Sequence, residues 1–139
     1  MRVMVIVKAN PQTEAGELPS EEILTAMSRF NEELARAGVL LAAEGLHPSA
    51  HGVRVRFAAG RSTLVDGPFA ATRELVGGFW LWQVGSFEEA VEWVRRSPFR
   101  DSREELEIRR VFDAEDFGAA LTPELAAPSE RRGERITRN

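Results

Sequence analysis

The sequence predicts an α+β two-layer sandwich, an antiparallel sheet with its helices on one face. Three observations lead there. Short β-branched or alternating runs read as strands, and two stretches with apolar residues at helical spacing stand between them. The order is strand, long helix, strand, hairpin, short helix, strand, helix, strand. Strands grouped with helices in this order favour helices segregated to one side of the sheet. Finally, 139 residues with 43% apolar content suffice for one domain with its own core.

Val3 to Val7 is an apolar, β-branched run and the first strand. Asn10 to Pro19 holds two prolines and a glycine and reads as a loop. Ser20 caps the next helix, Glu21 and Glu22 favour the positive end of its dipole, and Gly38 ends it. Between them Ile23, Leu24, Met27, Phe30 and Leu34 recur at helical spacing.

Val39 to Ala43 forms a second strand. Val53, Val55 and Phe57 then alternate with Arg54 and Arg56, and a turn at Gly60 returns the chain through Ser62 to Val65 as a hairpin. Asp66-Gly67-Pro68 changes the chain direction, a short helix is expected over Phe69 to Leu75, and Gly77-Gly78 stops it. Phe79 to Val84 is an aromatic strand, and Ser86 with Glu89 forms a capping box for a helix that ends at Pro98. Leu106 to Phe112 is the last strand. Residues 1–112 thus make up the domain, and 113–139 an extension that packs through Phe117, Leu121 and Leu125 before fraying.

A sheet with water on one face alternates apolar and polar residues. Val3 to Val7 and Phe79-Trp80-Leu81-Trp82 do not, so both faces require cover. The helices supply one. An identical sheet from a second copy is the simplest cover for the other, which predicts a homodimer.

Charge and composition narrow the function classes. Eighteen basic and 22 acidic residues give a net charge of -4, which argues against a nucleic-acid or anionic-membrane surface. Without cysteine there is no thiolate nucleophile, disulfide or Cys-ligated zinc. The N-terminal apolar run, broken by Lys8, is too short for a signal sequence or a membrane span, so a cytoplasmic protein is expected. No phosphate loop, nucleophile elbow or HExxH is present, and no cofactor or metal is expected.

The segment Asp66-Gly67-Pro68-Phe69-Ala70-Ala71-Thr72-Arg73-Glu74, with Ala43-Glu44-Gly45-Leu46 before it and Gly77-Gly78-Phe79 after it, resembles the signature region of DGPF-domain proteins, a branch of the YCII-related family. The resemblance implies a ferredoxin-like fold that dimerises through its sheets into an α/β barrel. It also implies a possible functional link to an extracytoplasmic-function sigma factor. One enzymatic branch of the family uses a His-Asp dyad. Here the first long helix holds no histidine, and Ser97 stands before Pro98 where that aspartate lies, so the dyad is not carried over.

The candidate groups each have two readings. Asp66 is either the acceptor of an Asx turn or a general base. His47 and His51 are the chain's two histidines, and His47 is the candidate imidazole base. Glu44 is a third candidate base or an ordinary ion-pair partner of Arg54, Arg56 or Arg73. Arg54 and Arg56 share a strand face that is either solvated or a fork for a carboxylate, and Arg73 joins them as a ligand contact. Trp80 and Trp82 are core residues or pocket walls. The favoured reading is a small-molecule-binding or regulatory dimer. The alternative is a cofactor-free enzyme acting on a small (aromatic) acid by general acid/base proton transfer through Asp66, Glu44 or His47. Buried, converging carboxylates would favour the enzyme, and carboxylates in turns or surface pairs the binder.

Overall fold

The computed structural model describes residues 1–70 and 74–120. Four antiparallel strands form the main sheet in the order β2-β5-β1-β6, and β3 and β4 pair with each other in a separate two-stranded ribbon. The strands are β1 (Arg2–Lys8), β2 (Leu40–Gly45), β3 (Val53–Ala58), β4 (Arg61–Asp66), β5 (Val76–Gln83) and β6 (Leu106–Arg110). The helices are α1 (Pro11–Glu14), α2 (Glu21–Arg36) and α3 (Phe87–Arg96). The α+β class is as expected, and the strand order matches a ferredoxin-like arrangement in which two strand-helix-strand units interleave.

Both long helices begin where the sequence places them. The Ser20 hydroxyl accepts from the Ile23 N–H at 3.2 Å, and the Ser86 hydroxyl from the Glu89 N–H at 3.2 Å. The Glu89 carboxylate takes the Gly85 N–H at 2.7 Å. Residues 10–19 are not all loop, since α1 occupies their first half. Asn10 and Thr13 cap each other's backbone and Pro11 opens the helix, the arrangement that suits proline's fixed φ and missing donor.

Register decides the core. Val3 pairs with Trp82 and Val5 with Trp80, so these four share one face of the sheet and are buried there. Phe30 and Leu34 of α2 and Ala90 of α3 close over them. Phe30 meets Trp80, Trp82 and Trp93 edge-on at centroid distances of 5.7, 6.3 and 6.1 Å, a geometry that suits the aromatic quadrupole. Trp80 donates its Nε1–H to Asn31 Oδ1 at 2.8 Å. The amphipathic stripe of α2 overshoots the core, leaving Ile23 and Leu24 about half exposed.

Gly77 and Gly78, expected to stop a helix, instead lie inside β5. Gly78 pairs with Gly45, and a Cβ there would stand 2.8 Å from the Glu44 carbonyl oxygen, so only glycine lets β2 and β5 approach this closely. The short helix over 69–75 falls partly on residues 71–73, outside the described residues.

The opposite face carries Met4, Ile6, Phe79 and Leu81, all partly buried, with Glu44 beside Phe79 and Lys8 paired to Glu107 at 3.3 Å. No helix of the described residues covers it: those in the hydrophobic core all meet the Val3-Trp82 face. β6 ends at Arg110, two residues short of the expected strand. The chain then turns through Asp113, which pairs with Arg2 at 3.3 Å, and Asp116, which meets Arg110 at 3.5 Å. Phe117 lies against Phe112 at 5.1 Å, while Leu121 and Leu125 fall outside the described residues. No helix of the described residues is long and apolar enough to cross a membrane.

Candidate functional site: a clasp beside the hairpin

The residues around the Asp66-Gly67-Pro68-Phe69 turn form one clasp, built from three separate segments. Glu14, at the end of α1, receives hydrogen bonds from the Ser49 backbone N–H at 2.9 Å and from the Ser49 hydroxyl. That hydroxyl also accepts the Phe69 N–H at 2.9 Å. The Gly67 N–H donates to the Gly52 carbonyl at 3.0 Å. The Gly67-Pro68 bond is cis. A Cβ on Gly67 would overlap the Ser49 carbonyl oxygen, so this glycine is required by close backbone approach.

The signature turn is therefore held by Ser49 and Glu14 rather than by its own aspartate. Among the described residues, no hydrogen bond reaches the Asp66 carboxylate, which is exposed. Neither Glu14 nor Ser49 stood among the residues the sequence marked. The Asn10-Pro11-Gln12-Thr13 start signal was the available clue to α1, and hence to Glu14. Nothing local points to Ser49, because its partners lie 35 and 20 residues away. The two hydrogen bonds from Ser49, hydroxyl first and backbone second, hold the Glu14 carboxyl below its ordinary value.

The clasp gathers some of the sequence-marked residues. A short 3₁₀ turn over Ser49–His51, which Pro48 permits where it would disfavour an α-helix, brings His47 and His51 to a ring separation of 5.5 Å. Both rings are exposed. Arg54 lays its guanidinium over the Phe69 ring at 4.0 Å, a cation–π contact that pins a flexible side chain beside the turn. Arg56 lies two residues further along the same face of the ribbon, opposite Thr63. Arg73 lies outside the described residues. A guanidinium fixed beside the turn suits an anionic group, and a carboxylate matches its fork. Two histidines alone do not complete a metal site, and among the described residues no group of three His, Cys, Asp or Glu side chains stands ready to hold one.

The remaining candidates go elsewhere. Glu44 sits at the end of β2 on the helix-free face, exposed. Trp80 and Trp82 are 2% and 0% exposed in the helix-side core, so they are structural here and offer no wall to a ligand. Two buried polar atoms in or near that core, Trp82 Nε1 and Ser97 Oγ, have no hydrogen-bond partner among the described residues.

A segment of 75 residues is 32% identical to an uncharacterized protein of Rhizobium meliloti, covering 54% of this chain and 60% of that protein's length. Among solved structures, 5-chloro-2-hydroxyhydroquinone dehydrochlorinase from Burkholderia phenoliruptrix, in complex with 2,5-dihydroxybenzoquinone, aligns over 81% of this chain and 94% of its own at a TM-score of 0.47 and 16% identity. The model of the YCII-related domain matches residues 1–115, which takes in the sheet, the ribbon and the clasp, and the chain belongs to the YCII-related family.

Proposed function

We propose that this chain is a non-catalytic, small-molecule-binding protein that works as a homodimer and holds a small carboxylic acid at the basic rim of the clasp. The observation that carries the reading is Arg54, fixed over Phe69 on the same ribbon face as Arg56, with the His47–His51 pair in the segment that leads into the same strand. Such a rim offers charge-assisted, geometrically specific contacts to a carboxylate. An aromatic acid would gain further from the Phe69 ring. Dimerisation would proceed through the helix-free sheet face, where Met4, Ile6, Phe79 and Leu81 form an apolar surface that no helix of the described residues covers.

The acid–base alternative requires Asp66, Glu44 or His47 in a water-poor pocket. All three are exposed in the single chain, which favours binding over catalysis. A thermal-shift series with benzoate, salicylate and small aliphatic acids tests the reading, because a ligand of the folded state raises stability by mass action, about 2.7 kcal/mol at a hundredfold excess over Kd. At least one acid should raise the midpoint of the parent and leave Arg54→Gln unmoved. No shift with any acid at millimolar concentration, or equal shifts in both proteins, would sink it.

A further inference from the structure

We propose that Glu14 and Ser49 are positioning residues for Arg54, acting through Phe69, so that two side chains that touch no ligand set how tightly the guanidinium holds a carboxylate. The proposal rests on the carboxylate reading above and adds the device that prepares the site for it.

An arginine on an exposed strand has no fixed place of its own. Every residue of β3 is exposed, and a long side chain in water samples many rotamers. Among the described residues neither Arg54 nor Arg56 joins an ion pair. A guanidinium grips a carboxylate through two parallel N–H···O bonds, a geometry that a wandering side chain reaches only after being ordered. Arg54 is ordered in advance by Phe69, whose ring centroid lies 4.0 Å from its Cζ. The ring takes one flat face of the guanidinium.

Phe69 is placed from behind by the segment 49–52. It is half-buried, and its N–H donates to Ser49 Oγ at 2.9 Å. A Cβ on Gly52 would stand 3.8 Å from the ring atom Cε2, so the ring passes close to that backbone. Ser49 is fixed in turn by Glu14, which accepts from both its N–H and its hydroxyl. A hydroxyl has one proton, and committing it to Glu14 aims the oxygen lone pairs at the Phe69 N–H. Without the carboxylate the hydroxyl rotates freely, and the direction of the Phe69 bond is no longer set.

The base of this chain of contacts is anchored at the end of the main sheet. Glu14 lies on α1, which the Asn10–Thr13 capping box opens. The Ala9 N–H donates to the Leu75 carbonyl at 2.7 Å, and Asn10 Nδ2 to Glu104 Oε1 at 2.8 Å. Closing the turn alone would need no more than the bond from the Gly67 N–H to the Gly52 carbonyl. The bond from Phe69 to Ser49 adds the position of the aromatic ring, and Arg54 is what that ring carries.

Nuclear magnetic resonance of the labelled chain tests the relay without a ligand. The Phe69 ring current should move the Arg54 side-chain protons upfield relative to Phe69→Leu, and leave those of Arg56 in place. Glu14→Ala and Ser49→Ala should each lose at least half of that shift, with circular dichroism unchanged. Ser49→Thr, which retains the hydroxyl, should keep it. Glu14→Gln, which preserves side-chain size, gives a second variant at that position and should lose part of the shift. A parent without the shift, alanine variants that retain it in full, or a threonine variant that behaves as alanine overturns the relay. Benzoate titration reads the consequence for binding. Its Kd should rise about fivefold or more in both alanine variants and stay near the parent's in Ser49→Thr. Equal affinity in the parent and the alanine variants overturns the proposal. If the shift follows Glu14 and Ser49 as expected and no acid binds the parent, the relay stands and the carboxylate reading falls.

Discussion

The main sheet and the β3–β4 ribbon are written in a similar alphabet and meet opposite fates. Val3 and Val5 in β1 and Val53 and Val55 in β3 have the same side chain at the same two-residue spacing. The first pair is fully buried under α2, and the second is about half exposed. Alternation thus specifies which residues share a face, but not whether that face is covered. Cover comes from elements distant in the sequence, and among the described residues only the main sheet receives it.

The largest losses are expected on the sheet side. Leu34→Ala and Trp82→Ala each remove a fully buried side chain from beneath the helices. Losses of about 2–5 kcal/mol and 3–5 kcal/mol are expected in urea unfolding, and a loss under 1 kcal/mol in either would mean that this core does not carry the fold. Gly67→Ala is next. It forces the signature turn away from Ser49, with an expected cost of about 1–3 kcal/mol and looser attachment of the ribbon, seen as faster amide exchange in β3 and β4. A chain ended at Asp113 loses the Phe112–Phe117 contact and the Arg110–Asp116 pair. Its melting point should fall by an amount equivalent to about 1 kcal/mol, and an unchanged melting point would show that the extension adds nothing.

Acid sharpens the clasp. The Glu14 carboxyl is held below its ordinary value, so the folded state binds the proton less readily than the unfolded chain. The resulting stabilisation is fully present above the ordinary carboxylate range and is lost as pH falls through the lowered value. Glu14→Gln and the parent should therefore differ in stability at neutral pH and converge in acid, and parallel pH profiles would refute the role assigned to Ser49. The smallest effect is expected on the ribbon. Phe57→Ser, at a side chain exposed by 81%, should change the unimolecular unfolding free energy, measured on dilute protein, by no more than about 0.5 kcal/mol. A larger loss would place a contact in this chain on that ring.

Much of the fold was legible locally because its causes are local. The caps at Ser20 and Ser86 and the β3 alternation depend on residues within a few positions. Gly77-Gly78 misled because two glycines stop a helix as readily as they admit a neighbouring strand, and the choice was made by β2 at Gly45. The candidate site was half legible. Arg54, His47 and His51 stood out by residue type, but Glu14 and Ser49, which hold the turn, did not, since their bonds bridge segments far apart in the chain.

By itself, the sequence determined the two long helices, the cores of the strands and the residues that share each face, because dihedral preference and periodicity are properties of short segments. Tertiary structure alone decided that the tryptophans face the helices, that Ser49 and Glu14 lock the signature turn, and that Val53, Val55 and Phe57 remain open to water. Those outcomes follow from which distant segment lies against which, and that depends on contacts no local pattern contains.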